Sequence, residues 1–239
     1  MLEEFDKEII KSDEDILVML DNLLEYRGGQ WWDDFYSNKE RNVPFFKGVP
    51  DENLISYVRS GIFKPGRILD IGCGNGRNSI YLAKLGFQVD AVDFSEASIE
   101  WAREVAAEEK VHISFYCQSI FDFELQTNYY DYIYDAGCLH HIKPHRRKQY
   151  LQIIYQALKP EGYFALTCFK LKGGANVSDY DVYRDRSMHG GLGFSEHKLR
   201  AVLEPYFEFQ EFREMKEITD GSMFGKDFCW ALLLGKKGR

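Results

Sequence analysis

The chain has 239 residues, 45% of them apolar and 15% aromatic, enough for a substantial core in one large α/β domain or two small ones. A formal net charge of −8 argues against non-specific binding to nucleic acid or anionic membrane. No apolar run approaches a membrane span, and the five cysteines (Cys73, Cys117, Cys138, Cys168, Cys229) are scattered without C-x-x-C spacing, which reads as reduced thiols and not as a disulfide framework or a metal site.

In chain order, Met1 to Asp6 is acidic and carries no signal-peptide pattern, so a cytoplasmic chain is expected. Ser12 can cap a helix running to about Tyr26, with Glu14 and Asp15 in its first turn and Ile16, Leu17, Leu20, Leu23 and Leu24 on one face. Trp31 to Phe46 is aromatic and full of turn residues, which reads as irregular. It either packs on the domain surface or covers the site. Asp51 to Arg59 reads as a helix closed by Gly61, and Pro65-Gly66 turns into a strand. Residues 1–54 are therefore expected to form a helical and aromatic extension, with one compact domain over 55–239.

The organising stretch is Ile68-Leu69-Asp70-Ile71-Gly72-Cys73-Gly74-Asn75-Gly76-Arg77-Asn78-Ser79. An apolar run breaks into three alternate glycines, and a helical pattern follows at once, ending at Gly86. Glycine lets the backbone approach a ligand and take dihedrals that a Cβ forbids. The helix start offers free N–H groups and a positive dipole end. The next strand, Gln88 to Asp93, ends in an acid about 20 residues on, where a ribose hydroxyl is reached in nucleotide-binding βαβ units. The dinucleotide spacing G-x-G-x-x-G fails, because its third glycine falls on Arg77. That removes an NAD-dependent dehydrogenase.

Asp-x-Gly-x-Gly-x-Gly resembles the first motif of class I S-adenosylmethionine-dependent methyltransferases. Gly74 to Ser79 with Tyr81-Leu82-Ala83 resembles the tellurite-resistance branch of that family. The resemblance implies a doubly wound, Rossmann-like, seven-stranded α/β sheet, mostly parallel with a C-terminal antiparallel strand and helices on both faces. Downstream features agree with it. Ser95 caps a helix to about Glu109, Val111 to Cys117 and Tyr129 to Asp135 are strands, and a helix spans about His145 to Leu158. Tyr163 to Phe169 is a strand after Leu-Lys-Pro-x-Gly. A Gly- and Tyr-rich insert runs from Leu171 to Gly193, Ser195 caps a helix, and two final strands fall near Phe207–Glu217 and Asp227–Leu234. Asp-Ala-Gly-Cys-Leu with Pro144, Arg147 and Tyr150 also resembles the thiopurine methyltransferase type, which has Arg where this chain has Ala136.

The resemblance implies S-adenosyl-L-methionine as cofactor and S-adenosyl-L-homocysteine as product. Its methionine part would lie over Gly72, Gly74 and Gly76, with Asp70 or Asp135 pairing the α-amino group. Its ribose would meet Asp93, and its adenine would lie among Phe94, Ser119 and Ile120, Ser119 standing where the family commonly has an acid. No metal is called for. His140 and His141 are the candidates for contact with the acceptor, as base or as positioning groups, because imidazole titrates near neutral pH; a structural role for each stays open. The expected reaction is in-line methyl transfer to a small molecule by a monomer or homodimer. A nucleic-acid or protein methyltransferase, and a non-catalytic cofactor-binding module, are the alternatives. The basic run Lys143 to Lys148 reads as a solvated face or a phosphate contact.

Overall fold

The computed structural model describes residues 9–24 and 29–238. Helix α1 spans Asp13–Leu23, begun by a capping box in which Ser12 and Asp15 bond each other's backbone. The part of the first expected helix beyond Leu24 lies outside the described residues. The aromatic stretch read as irregular is instead helical over Gly29–Ser37 (α2), followed by a 3₁₀ turn at Pro44–Lys47. The reason is spacing: Trp31/Phe35 and Trp32/Tyr36 are i,i+4 pairs, which stack along one helix face at 5.3 and 6.3 Å.

From there the chain alternates. Helix α3 is Glu52–Arg59, β1 Arg67–Ile71, α4 Arg77–Lys84, β2 Gln88–Asp93, α5 Glu96–Glu108, β3 Ser114–Cys117 and β4 Tyr130–Ala136. Then come α6 Arg147–Ala157, β5 Leu158–Phe169, α7 Asp179–Arg184, α8 Glu196–Leu203, β6 Phe207–Glu214 and β7 Cys229–Lys236. The strands make one seven-stranded sheet in the order β3-β2-β1-β4-β5-β7-β6, in which β7 runs antiparallel to the other six. This is the expected fold. The Gly- and Tyr-rich insert between β5 and α8 holds the short helix α7, started by a Ser178–Asp181 capping box.

Alternate side chains of β1 enter opposite cores. Ile68 joins Leu54 and Tyr57 of α3, Ile80 of α4 and Ile99 of α5, whereas Leu69 and Ile71 join Leu151 and Ile154 of α6 and Leu199 of α8. Helices therefore cover both faces, as a mainly parallel sheet requires. The carboxyl ends of β1, β2, β4 and β5 are left to build a site, and order reverses between β1 and β4.

Candidate active site

A cavity of about 750 Å³ lies over those strand ends, within the size range of small-molecule sites. Its floor is the glycine turn. Gly72, Gly74 and Gly76 all take left-handed φ (65°, 55° and 77°). Gly72 and Cys73 donate their N–H groups to the Val92 carbonyl (2.8 and 3.2 Å), which ties the turn to β2. At Gly74 the close approach is explicit: a Cβ there would stand 2.6 Å from the Tyr36 hydroxyl. Tyr36 of α2 thus lies buried directly against the turn and lines the cavity.

Asp93 ends β2 at the cavity wall. Its Oδ2 accepts the Gly74 N–H (2.9 Å) and its Oδ1 the Ser95 N–H (3.0 Å). Each oxygen keeps a further acceptor site for a ligand hydroxyl. Burial pushes this carboxyl's pKa up, against those hydrogen bonds. Phe94, next to it, is 45% exposed although aromatic and lines the cavity, as does Ser119. The Ser119 Oγ accepts the Phe121 N–H at 3.2 Å, so its hydroxyl proton remains available.

Asp70 is the most unusual group of the floor. It is fully buried and its Oδ2 accepts from Ser79 Oγ at 2.5 Å, while its Oδ1 has no hydrogen-bond partner. Burial lifts its pKa to about 7. An orphaned carboxylate oxygen beside a positive-φ glycine turn suits a cationic donor such as an α-ammonium group.

Asp135 does not share that position. It is fully buried and does not line the cavity. Its Oδ1 accepts from the Gly137 and Cys138 N–H groups (2.9 and 2.6 Å), and its Oδ2 from the Leu139 N–H and the Tyr150 hydroxyl (3.0 and 2.7 Å). It braces the loop after β4, which fills all its capacity and leaves no oxygen for a cofactor amine. Burial raises its pKa to about 6. Ile120 likewise belongs to the apolar core and not to the cavity wall, and Gly76 serves as the N-cap of α4, its backbone against Ala102 of α5. The other expected cofactor residues, Asp70, Gly72, Gly74, Asp93, Phe94 and Ser119, do come together around the cavity.

His140 and His141 both line it. His140 is 5% exposed and stacks on Phe169 with 3.7 Å between ring centroids. Its Nδ1 accepts the Phe169 backbone N–H (3.4 Å), so the neutral ring carries its proton on Nε2. Burial, with His141 adjacent, holds its pKa well below 6.5. At neutral pH His140 is a hydrogen-bond donor and a ring platform, not a proton acceptor. His141 meets Trp32 of α2 edge-on at 4.9 Å.

Most of the basic run is paired internally, while the buried Nε and Nη2 of Arg147 have no hydrogen-bond partner. Asp21 of α1 pairs with Lys143 (3.0 Å), His145 (3.0 Å) and Arg146 (2.6 Å), Glu14 adds a second partner for Arg146, and Arg147 pairs with Asp179. These contacts hold α1 beside the cavity, which Glu14 and Asp21 line. Asp33 of α2 accepts from the Ser95 hydroxyl (2.8 Å) and the Ala97 N–H (3.2 Å), capping α5. Sequence reasoning missed five further lining residues, Arg77 and Asn78 of α4, Thr167 of β5, Phe224 before β7 and Cys229 of β7. Arg77 had signalled only by breaking the dinucleotide spacing. Its Nη1 is held on Asp51, which also accepts from Tyr134 at 2.6 Å.

Residues 68–162 match the family described as Methyltransferase domain. Over that stretch the chain is similar to methyltransferase domains. It is similar to the "Probable S-adenosyl-L-methionine-dependent methyltransferase TehB" of Haemophilus influenzae, 35% identical over 97 residues. That alignment covers 41% of this chain and 32% of TehB, so the chain spans about a third of that relative's length. It is also 24% identical over 182 residues to the 2-heptyl-1-hydroxyquinolin-4(1H)-one methyltransferase of Mycobacteroides abscessus, covering 76% of this chain and 75% of the relative. Among solved structures, 1,6-didemethyltoxoflavin-N1-methyltransferase of Burkholderia thailandensis superposes with a TM-score of 0.61 at 21% identity, over 96% of this chain and 92% of that one. It was solved with S-adenosylhomocysteine and 1,6-didemethyltoxoflavin bound.

Proposed function

We propose that this methyltransferase domain binds S-adenosyl-L-methionine and transfers its methyl group in line to a small-molecule acceptor, releasing S-adenosyl-L-homocysteine. The observation that carries the reading is the pairing, in one cavity, of a glycine turn closed against Tyr36 with two differently committed acids. Asp93 keeps acceptor capacity for ribose hydroxyls, and Asp70 presents an unpaired oxygen for the α-ammonium. The cofactor supplies a methyl carbon already activated by a sulfonium. The chain's work is then to bind, to align and to exclude water. The described part of residues 1–54 acts as a cover in this reading: Trp32, Tyr36 and Phe45 line the cavity, α1 is tied to Arg146 through Asp21, and α2 to Ser95 through Asp33. The domain over 55–239 supplies the rest. His140 holds the acceptor through its Nε2–H.

The pairing within the basic run favours a small acceptor over a nucleic acid, because Lys143, Arg146 and Arg147 already have carboxylate partners. Among the described residues no helix is long and apolar enough to cross a membrane, and we assign the protein to the cytoplasm, as a monomer or homodimer. The test is titration calorimetry with S-adenosylhomocysteine and NAD, followed by acceptor screening with labelled S-adenosylmethionine scored by mass gain. Micromolar binding of the first and none of the second is expected. Binding of NAD alone refutes the reading.

A further inference from the structure

Beyond the glycine turn the cavity wall is a run of rings. Trp32 meets His141 edge-on at 4.9 Å, His141 lies 4.4 Å from His140, and His140 stacks on Phe169 at 3.7 Å and 17°. Phe45 and Phe224 line the same cavity. The cations that line it are all committed. Lys143 and Arg146 pair with Asp21, while Arg77 lies over the Phe224 ring at 4.7 Å with its Nη1 on Asp51 and on the Val49 carbonyl. The nearby polar groups, the His140 Nε2–H and the Thr167 hydroxyl, are neutral. A face of this kind gives area and stacking to a flat ring. It gives no free cation to a compact oxyanion, whose burial without a partner is costly.

We propose that the acceptor is a planar aromatic or heteroaromatic molecule, without carboxylate or phosphate groups, whose nucleophilic nitrogen, oxygen or sulfur is attached to or part of the ring. The inference rests on the methyl-transfer reading above and adds the acceptor's chemical class. Ring attachment matters because His140 is a poor base: its Nδ1 already accepts the Phe169 N–H, and burial holds its pKa well below 6.5. In the step, a lone pair of the acceptor forms the bond to the methyl carbon as the carbon–sulfur bond breaks. That bonding pair stays on sulfur, which becomes a neutral thioether. A ring-attached OH or SH is acidic enough to lose its proton to water before the step, whereas a nitrogen attacks with its lone pair and releases its proton to water after the methyl bond has formed, so no further reactant is needed. The Trp32–His141–His140–Phe169 face holds the ring while this happens, and His140 Nε2–H donates to a ring heteroatom.

The experiment uses the full chain saturated with S-adenosylhomocysteine, titrated with three probes: quinolin-4-ol, quinoline-4-carboxylate and selenite. Quinolin-4-ol should bind about tenfold or more tighter than the carboxylate, which brings an unpaired charge, and selenite should give no heat. Phe169→Leu should weaken quinolin-4-ol about three- to tenfold, the value of a lost ring contact, with S-adenosylhomocysteine affinity unchanged, and Phe169→Tyr should restore it. Trp32→Leu gives the same readout from an element outside the sheet, in case the strand variant does not fold. Carboxylate or selenite binding as tightly as quinolin-4-ol overturns the inference, as does full affinity in both leucine variants. Failure of S-adenosylhomocysteine itself to bind the unaltered chain refutes the methyl-transfer reading instead, before any probe is added.

Discussion

Replacing Asp70 by Asn separates what the cavity floor does for binding from what it costs in stability. The Asp70 carboxyl has a pKa of about 7 in the folded chain against 3.8 for the free side chain, because burial outweighs its one hydrogen bond from Ser79. A rise of this size corresponds to about 4 kcal/mol of opposition to the charged form. The sign follows from proton counts. Between pH 3.8 and about 7 the folded chain holds a proton that the unfolded chain has released, so stability falls as pH rises through this window, and the full penalty applies above it. Asp70→Asn keeps the acceptor for Ser79 and carries no charge. At pH 8 it should therefore stabilise the free protein by up to about 4 kcal/mol in urea unfolding, and by little near pH 4. A ligand ammonium needs the charged form. Affinity for S-adenosylhomocysteine in the unaltered chain should then fall up to about tenfold per pH unit below 7, as measured by calorimetry. The variant should bind more weakly at pH 7.5 and lose the part of that slope due to Asp70, leaving whatever Asp93 and Asp135 contribute. An unaltered chain whose affinity does not change between pH 5.5 and 7.5, or an Asp70→Asn protein that binds as tightly as the original, refutes the ammonium pairing.

Asp93→Ala should weaken S-adenosylhomocysteine by about 1.5–3 kcal/mol, the value of hydrogen bonds to a charged group, and unchanged calorimetric affinity in a folded variant counts against the ribose assignment. Gly74→Ala meets both a φ of 55° and the Tyr36 hydroxyl. It should cost about 1–2 kcal/mol in backbone strain and speed amide exchange in α2, and adding Tyr36→Phe, which removes the obstructing oxygen, should slow that exchange again. Asp21→Asn should speed amide exchange across α1 because Lys143, His145 and Arg146 lose their common partner; unaltered protection there would show that apolar contacts alone hold the helix. Once an acceptor is in hand, the pH profile of kcat should show no inflection from His140 between pH 6.5 and 8, since its pKa lies well below 6.5, and His140→Gln should keep most of the turnover by supplying another neutral donor.

What was legible in the chain was what is local. The glycine turn, Asp93 at the end of its strand and the capping serines Ser12, Ser95 and Ser195 all act within a few residues or one βαβ unit, and the sheet followed from their order. What was not legible depends on partners far along the chain. The basic run looked solvated because its acid, Asp21, lies 122 residues before Lys143. Asp135 looked like a ligand group because its strand-end position is shared with Asp70, and only the three-dimensional loop shows three N–H groups turned back onto it. His140 was read from its residue type, but its tautomer is set by a strand 29 residues away. Helix α2 was hidden by turn-forming neighbours, although its i,i+4 aromatic spacing was present to be read.

The histidine loop and the insert after β5 are stitched together: the Leu192 N–H donates to the His140 carbonyl at 2.8 Å, and the Gly191 backbone packs against both imidazoles. The two segments are separate in the chain but form one mechanical unit. A graft that exchanges the insert alone, to import a new acceptor preference, would cut that seam and shift the imidazoles. A transplant that carries residues 136–142 and 171–193 together preserves it, so the exchangeable module of this scaffold is a pair of loops and not either loop by itself.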